Sequence, residues 1–179
     1  MIVDGVAAGS PQLPFIELEM NMKPTEQLHS MGQSLWLDNI TRGLLTSGTL
    51  QRYIRELSIT GLTSNPSIFD HAIRDTGFYD EAIRGKMQAV RISEDLFFEL
   101  ALEDLTKAAD LFRPIHDDTN GLDGWVSLEV SPLLADEPVK TLEAAKRLFA
   151  SAGRPNLFIK IPEEVEATIV KIMKEAASW

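Results

Sequence analysis

The chain has 179 residues, 44% of them hydrophobic and 25% charged with the two signs interspersed. That is enough for one domain with its own core and unlike the single-sign make-up of a disordered chain. A formal charge of −10 with no basic stretch argues against a nucleic-acid surface and requires a local positive pocket for an anionic substrate, while the absence of cysteine removes disulfides, thiolate metal sites and a cysteine nucleophile.

Residues 1–24 mix Gly, Pro and isolated apolar residues without a period, and so read as an irregular leader. They lack the basic and apolar blocks of an export signal, and no later apolar run is long enough to span a membrane, so a cytoplasmic protein is expected. From residue 25 to 179 short apolar runs alternate with longer amphipathic stretches. This is the pattern of consecutive βα units around a parallel sheet. No internal sequence repeat is evident.

The first run, Ser34 to Asp38, is followed by Asn39, Thr41 and Gly43 and then by a helix expected to start at Thr46 or Ser47. The second, Ile59 to Thr63, leads into Ser64, Asn65 and Pro66; proline suits a first helical turn, and two helical pieces separated near Gly77 reach about Arg84. Ser93 opens a long helix with Glu94 and Asp95 in its first turn. Leu96, Leu100, Leu105 and Ala109 lie on its apolar face, and Arg113 and Pro114 are expected to end it near Phe112.

A polar turn, Asp117 to Gly124, precedes a third strand, Trp125 to Val130. Pro138 then opens a helix that Gly153 closes. Asn156 to Ile161 is almost wholly apolar, as expected of a strand covered on both faces, and Pro162 stops it. Glu163 to Trp179 reads as a fourth helix, with acidic residues early and lysines late.

In a parallel barrel the reacting groups come from the C-terminal ends of strands. Asp38, Asn65, Glu129 and Lys160 all mark that edge. Alternation turns Val126, Leu128 and Val130 towards helices and Trp125, Ser127 and Glu129 inward; the same logic turns Phe158 and Lys160 inward. A lysine in an apolar strand is held towards its neutral, nucleophilic form, as imine formation requires. Its alternative is a quiet ion pair with Glu129, and Asp38 and Asn65 taken alone suit a turn or a helix cap better than a reacting role. His29, His71 and His116 have no metal-ligand spacing.

Four segments taken together resemble the transaldolase family: Ser34-Leu35-Trp36-Leu37-Asp38, Thr63-Ser64-Asn65-Pro66-Ser67, Ser127-Leu128-Glu129-Val130 and Phe158-Ile159-Lys160-Ile161-Pro162. The resemblance runs from about residue 26 to 162. It implies an α/β protein of the (β/α)₈ TIM-barrel type, of which this chain supplies four βα units, a half barrel. It also implies an enzyme of the pentose phosphate pathway that needs no cofactor or metal. Such an enzyme moves a dihydroxyacetone unit between sugar phosphates, from sedoheptulose 7-phosphate to glyceraldehyde 3-phosphate.

By position, the resemblance makes Lys160 the Schiff-base nucleophile, Asp38 the general acid and base, and Glu129 a proton shuttle acting through water. Asn65, with Thr63 and Ser64 beside it, would hold the substrate. After Pro162 the family continues with Gly-Thr and a second glycine, whereas this chain reads Glu163-Glu164-Val165-Glu166-Ala167, so the match is expected to stop there. The arginines that grip the substrate phosphate belong to later strands of the family. An open half barrel exposes strand edges and an apolar interior, so the chain is expected to be inactive alone, or to pair as a homodimer or with a complementing half-barrel chain. A non-catalytic fragment or assembly partner and a fructose 6-phosphate aldolase are the competing readings.

Overall fold

A computed structural model describes residues 22–86 and 93–177. The expected leader lies outside the described residues up to 21. Helix α1 (Pro24–Ser30) starts on a proline, whose fixed φ suits a first turn, and Lys23 ties its start to a later segment by donating to the Glu56 carbonyl at 2.7 Å. The order then runs β1 (Leu35–Asp38), α2 (Arg42–Thr46), α3 (Thr49–Leu57), β2 (Ile59–Thr63), α4 (Pro66–Asp75), a 3-10 turn (Gly77–Tyr79) and α5 (Asp80–Lys86). It continues with α6 (Ser93–Asp118), β3 (Trp125–Glu129), a 3-10 turn (Pro132–Leu134), α7 (Pro138–Ala152), β4 (Leu157–Lys160) and α8 (Glu163–Ala177).

The four strands form one parallel sheet in the order β1-β2-β3-β4. Parallel neighbours require a crossover, and each strand here is followed by the helices that supply it. This is the α/β architecture expected from the sequence, a partial (β/α) barrel. The outer face of the sheet carries Leu62, Val126, Leu128 and Leu157, all essentially fully buried, and packs on Leu105, Ala108 and Phe112 of α6. Burying each large side chain of this kind contributes roughly 1.5–3 kcal/mol.

The other face is the concave one. The Trp36 ring lies flat over Gly61, where a Cβ would come within 2.5 Å of the indole. Only a residue without a side chain admits that contact. Trp36 then meets Phe158 with ring centroids 5.9 Å apart, and Phe158 meets Trp125 at the same separation. Outer strands of a flat four-strand sheet stand about 14 Å apart, so the meeting of β1 and β4 rings marks the side towards which the sheet curls.

Two helix boundaries differ from the sequence reading. The helix expected to start at Thr46 or Ser47 is two helices: α2 begins earlier, because Thr41 accepts from the Leu44 N–H at 3.1 Å, and α3 begins at Thr49 after Gly48 in the left-handed region. Thr41 is therefore the cap of α2, while Ser47 closes that helix and its hydroxyl also accepts from the Thr49 N–H at 3.3 Å where α3 begins. Similarly, α6 does not end near Phe112 but continues through Pro114 to Asp118.

A proline inside a helix removes one i→i−4 bond and clashes with the carbonyl four residues before it. Here that carbonyl belongs to Asp110, which is exposed and can turn to water. The turns beyond are held by packing and by local side-chain bonds. Ile115 packs on the core, the His116 ring stands edge-on to Trp125 at 4.8 Å, and the Thr119 hydroxyl and N–H both donate to the Ile115 carbonyl.

Candidate active site

The strand ends bring the predicted residues to one rim. Asp38 is in register with Thr63, and Glu129 with Lys160, so all four close their strands at the C-terminal edge. Alternation then decides direction. Leu37, Leu62, Leu128 and Ile159 belong to the core under the helices, which leaves Asp38, Thr63, Glu129 and Lys160 on the concave side.

The amine of Lys160 reaches across β3. It donates to the Thr63 hydroxyl at 3.2 Å and stands 3.4 Å from Glu129 Oε2. Its side chain is 33% exposed and that of Glu129 34%, so the apolar enclosure expected from the sequence is partial and the pair meets solvent. At that exposure the pair itself adds little stability. Because the amine ends on β2, only one strand spacing, about 5 Å, separates that strand from β1 and Asp38. Asp38 is exposed, and among the described residues its carboxylate has no hydrogen bond or ion pair.

Asn65 stands just beyond β2. Its side-chain oxygen accepts from the Ile68 N–H at 2.9 Å and so caps α4, with Pro66 in the first turn. The amide NH₂ is not used by that cap. Ser64 is fully buried, and its hydroxyl donates to the Ser127 carbonyl at 2.8 Å, pinning β2 to β3 directly beneath the rim. Ser127 was not singled out by sequence reasoning as a site residue. It shares the inward face with Glu129, and its buried hydroxyl donates to Thr63 at 3.0 Å; its place in the strand alternation was the available signal.

A second polar cluster braces the loop after Asp38. The Tyr79 hydroxyl accepts from the Arg42 backbone N–H at 3.0 Å and donates to Asp104 at 2.9 Å. The Arg42 guanidinium bonds Asp104 and Glu103, each at 2.9 Å, and lies 4.6 Å over the Tyr79 ring. Burial pushes the Tyr79 phenol up, and the neighbouring Asp104 charge adds to this. Burial also raises Asp104, outweighing its bonds from Tyr79 and Arg42. No sequence signal marks this cluster, because its members come from separate elements.

His29 and His71 are exposed on α1 and α4, and His116 lies against Trp125, away from the rim. Among the described residues no group of three or more His, Asp or Glu is arranged to hold a metal ion, and no helix is long and apolar enough to cross a membrane.

A profile of the transaldolase/fructose-6-phosphate aldolase family matches residues 35–177. The match therefore does not stop at Pro162, as the Glu-rich continuation led us to expect. The physical reason is that 163–177 keeps the role of a barrel helix, with Val165 and Ile169 buried. The chain is 36% identical to a transaldolase of Trichodesmium erythraeum over 151 residues, which is 83% of this chain and 40% of that relative. It is 42% identical to a transaldolase of an Arthrobacter species over 143 residues, 80% of this chain and 38% of the relative. With a transaldolase of Saccharopolyspora erythraea the identity is 39% over 155 residues, 86% of this chain and 42% of the relative. The chain thus spans about two fifths of the length of the curated relatives it matches. A parallel sheet with a lysine, two carboxylates and an Asn-Pro helix start at one rim, matched by the profile from β1 to α8, makes this chain a member of the transaldolase/fructose-6-phosphate aldolase family.

Proposed function

We propose that this rim carries the Schiff-base half of a transaldolase of the cytoplasmic pentose phosphate pathway, moving a dihydroxyacetone unit from sedoheptulose 7-phosphate to glyceraldehyde 3-phosphate. The observation that carries the reading is the reach of the Lys160 amine: from β4 it spans to Thr63 on β2, with Glu129 at 3.4 Å on one side and the strand of Asp38 on the other. The neutral amine adds to the ketose carbonyl, and loss of water leaves the imine. Glu129 moves the protons of that step through a water. Asp38 takes the proton of the hydroxyl beside the breaking carbon–carbon bond, and the electron pair of that bond passes into the protonated imine. The aldehyde product leaves, and a second aldehyde takes the retained three-carbon unit by the reverse steps. Asn65, through its spare NH₂, holds hydroxyls of that unit, with Thr63 beside it; Ser64, expected from the resemblance to join them, is fully buried with its hydroxyl on the Ser127 carbonyl and supports β2 from beneath. The substrates are sugar phosphates, and no cofactor takes part in these steps.

The test is to incubate the chain with fructose 6-phosphate, add borohydride and map the adduct by mass spectrometry. A dihydroxyacetone-derived mass on Lys160, lost in Lys160→Ala with the circular dichroism unchanged, is the expected result. A folded wild-type chain without the adduct would sink the proposal in favour of a catalytically inert half-barrel. Release of free dihydroxyacetone without transfer to an aldehyde acceptor would instead identify a fructose 6-phosphate aldolase, the other activity in the family's description.

A further inference from the structure

We infer that Thr63 and Ser127 form a hydroxyl pair that aims the Lys160 amine, which makes them positioning residues for the nucleophile in addition to any contact Thr63 makes with substrate. The inference deepens the Schiff-base reading and rests on it for its consequence, but not for its geometry.

A lysine amine on a four-carbon stem is a mobile group, and a third of this side chain is open to solvent. The ion pair with Glu129 at 3.4 Å is long and fixes no direction, because a carboxylate accepts over a wide arc. The directional contact is the one to Thr63 Oγ1 at 3.2 Å. That oxygen is itself held. Ser127, fully buried, donates into it at 3.0 Å, and the Ser127 backbone is anchored in turn by the Ser64 hydroxyl on its carbonyl at 2.8 Å.

The chain of donors therefore runs one way: Ser127 into Thr63, and Lys160 into Thr63. Thr63 Oγ accepts from both, so both of its lone pairs are used. An amine bound to it as donor keeps one N–H on Thr63 after it has lost its extra proton, and its lone pair is left pointing elsewhere, towards the open rim. That is the orientation needed for attack on a carbonyl. Because a β-branched Thr is stiff at χ1, the acceptor does not move with the amine. Among the described residues the Lys160 amine has no hydrogen-bond or ion-pair partner besides Thr63 and Glu129.

The experiment compares wild type, Thr63→Val, Thr63→Ser and Ser127→Ala in the full chain. Lys160 is labelled with fluorodinitrobenzene across a pH series and read by peptide mass spectrometry, which needs no turnover. Valine keeps the shape and removes the acceptor, so the labelling profile of Lys160 is expected to move to lower pH, with Ser127→Ala shifting it less in the same direction and Thr63→Ser returning it to wild type. In the same proteins, borohydride trapping with dihydroxyacetone is expected to slow roughly tenfold in Thr63→Val and to recover in Thr63→Ser. A Thr63→Val protein whose labelling profile matches wild type overturns the positioning role. Wild type that labels as expected but forms no adduct removes the Schiff-base reading while leaving the aimed amine standing, so the two failures are told apart.

Discussion

At the scale of single residues, one side chain is asked to do two jobs. Asn65 caps α4 with its oxygen and, in the proposed function, holds substrate with its NH₂. The two roles separate by substitution. Asn65→Asp keeps the capping oxygen and is expected to change stability by only a few tenths of a kcal/mol, whereas Asn65→Ala loses the cap at about 1 kcal/mol. Both are expected to slow trapping of the dihydroxyacetone unit. Urea unfolding beside the trapping assay checks this, and an Asp variant that traps as fast as wild type would confine Asn65 to capping. The sequence brought Asp38, Asn65, Glu129 and Lys160 to one edge of the sheet because strand ends are marked by where apolar runs stop. It did not show the reach of Lys160 to β2, because that depends on how far the sheet curls.

At the scale of elements, two features carry most of what local pattern missed. Helix α6 runs through Pro114 although proline and its neighbours read as a stop. The turns after it are retained by Ile115 in the core, His116 on Trp125 and Thr119 on the Ile115 carbonyl. Pro114→Ala is therefore expected to stabilise the protein by about 1 kcal/mol, part of the interior-proline penalty, seen as a higher urea midpoint at unchanged slope. An unchanged or lower midpoint would show that the helix gains nothing from a restored bond.

The second feature is the Arg42–Tyr79–Asp104 cluster, which ties α2 and the 3-10 turn before α5 to α6. The Tyr79 phenol is raised above its ordinary 10.0 by burial, and the Asp104 charge beside it adds to this. The folded protein therefore holds this proton after the unfolded chain has lost it. Stability from this group is fully present below about pH 10 and falls as pH rises through the alkaline range. Thermal melts of wild type are expected to drop steeply above pH 10 and those of Tyr79→Phe to drop less. Tyr79→Phe should cost roughly 1–3 kcal/mol at neutral pH through the unpaired Asp104 oxygen. Equal alkaline slopes in the two proteins would contradict the role of the phenol.

At the scale of the whole molecule, β1 and β4 each pair on one side only among the described residues, and Trp36 and Phe158 on the concave face are each 37% exposed. Free parallel edges beside an apolar face favour association. We propose that a polypeptide of these 179 residues self-associates, or binds a complementing half-barrel chain, and sedimentation velocity at micromolar concentration is expected to show species larger than a monomer. A clean monomer with a cooperative melt would show that the curled face covers itself. The amino-acid sequence by itself determined the succession of four strands with helices between them, the inward and outward sets of β3 and β4 and the edge at which the polar residues gather, because these follow from the spacing of apolar residues along a single segment. Only the tertiary structure decided that α6 continues past its proline, that Trp36 lies on Gly61, and that Lys160 rests on a threonine two strands away. The last two are contacts between segments far apart in the chain, and the first depends on packing of Ile115 against the core, so local spacing carries no information about them.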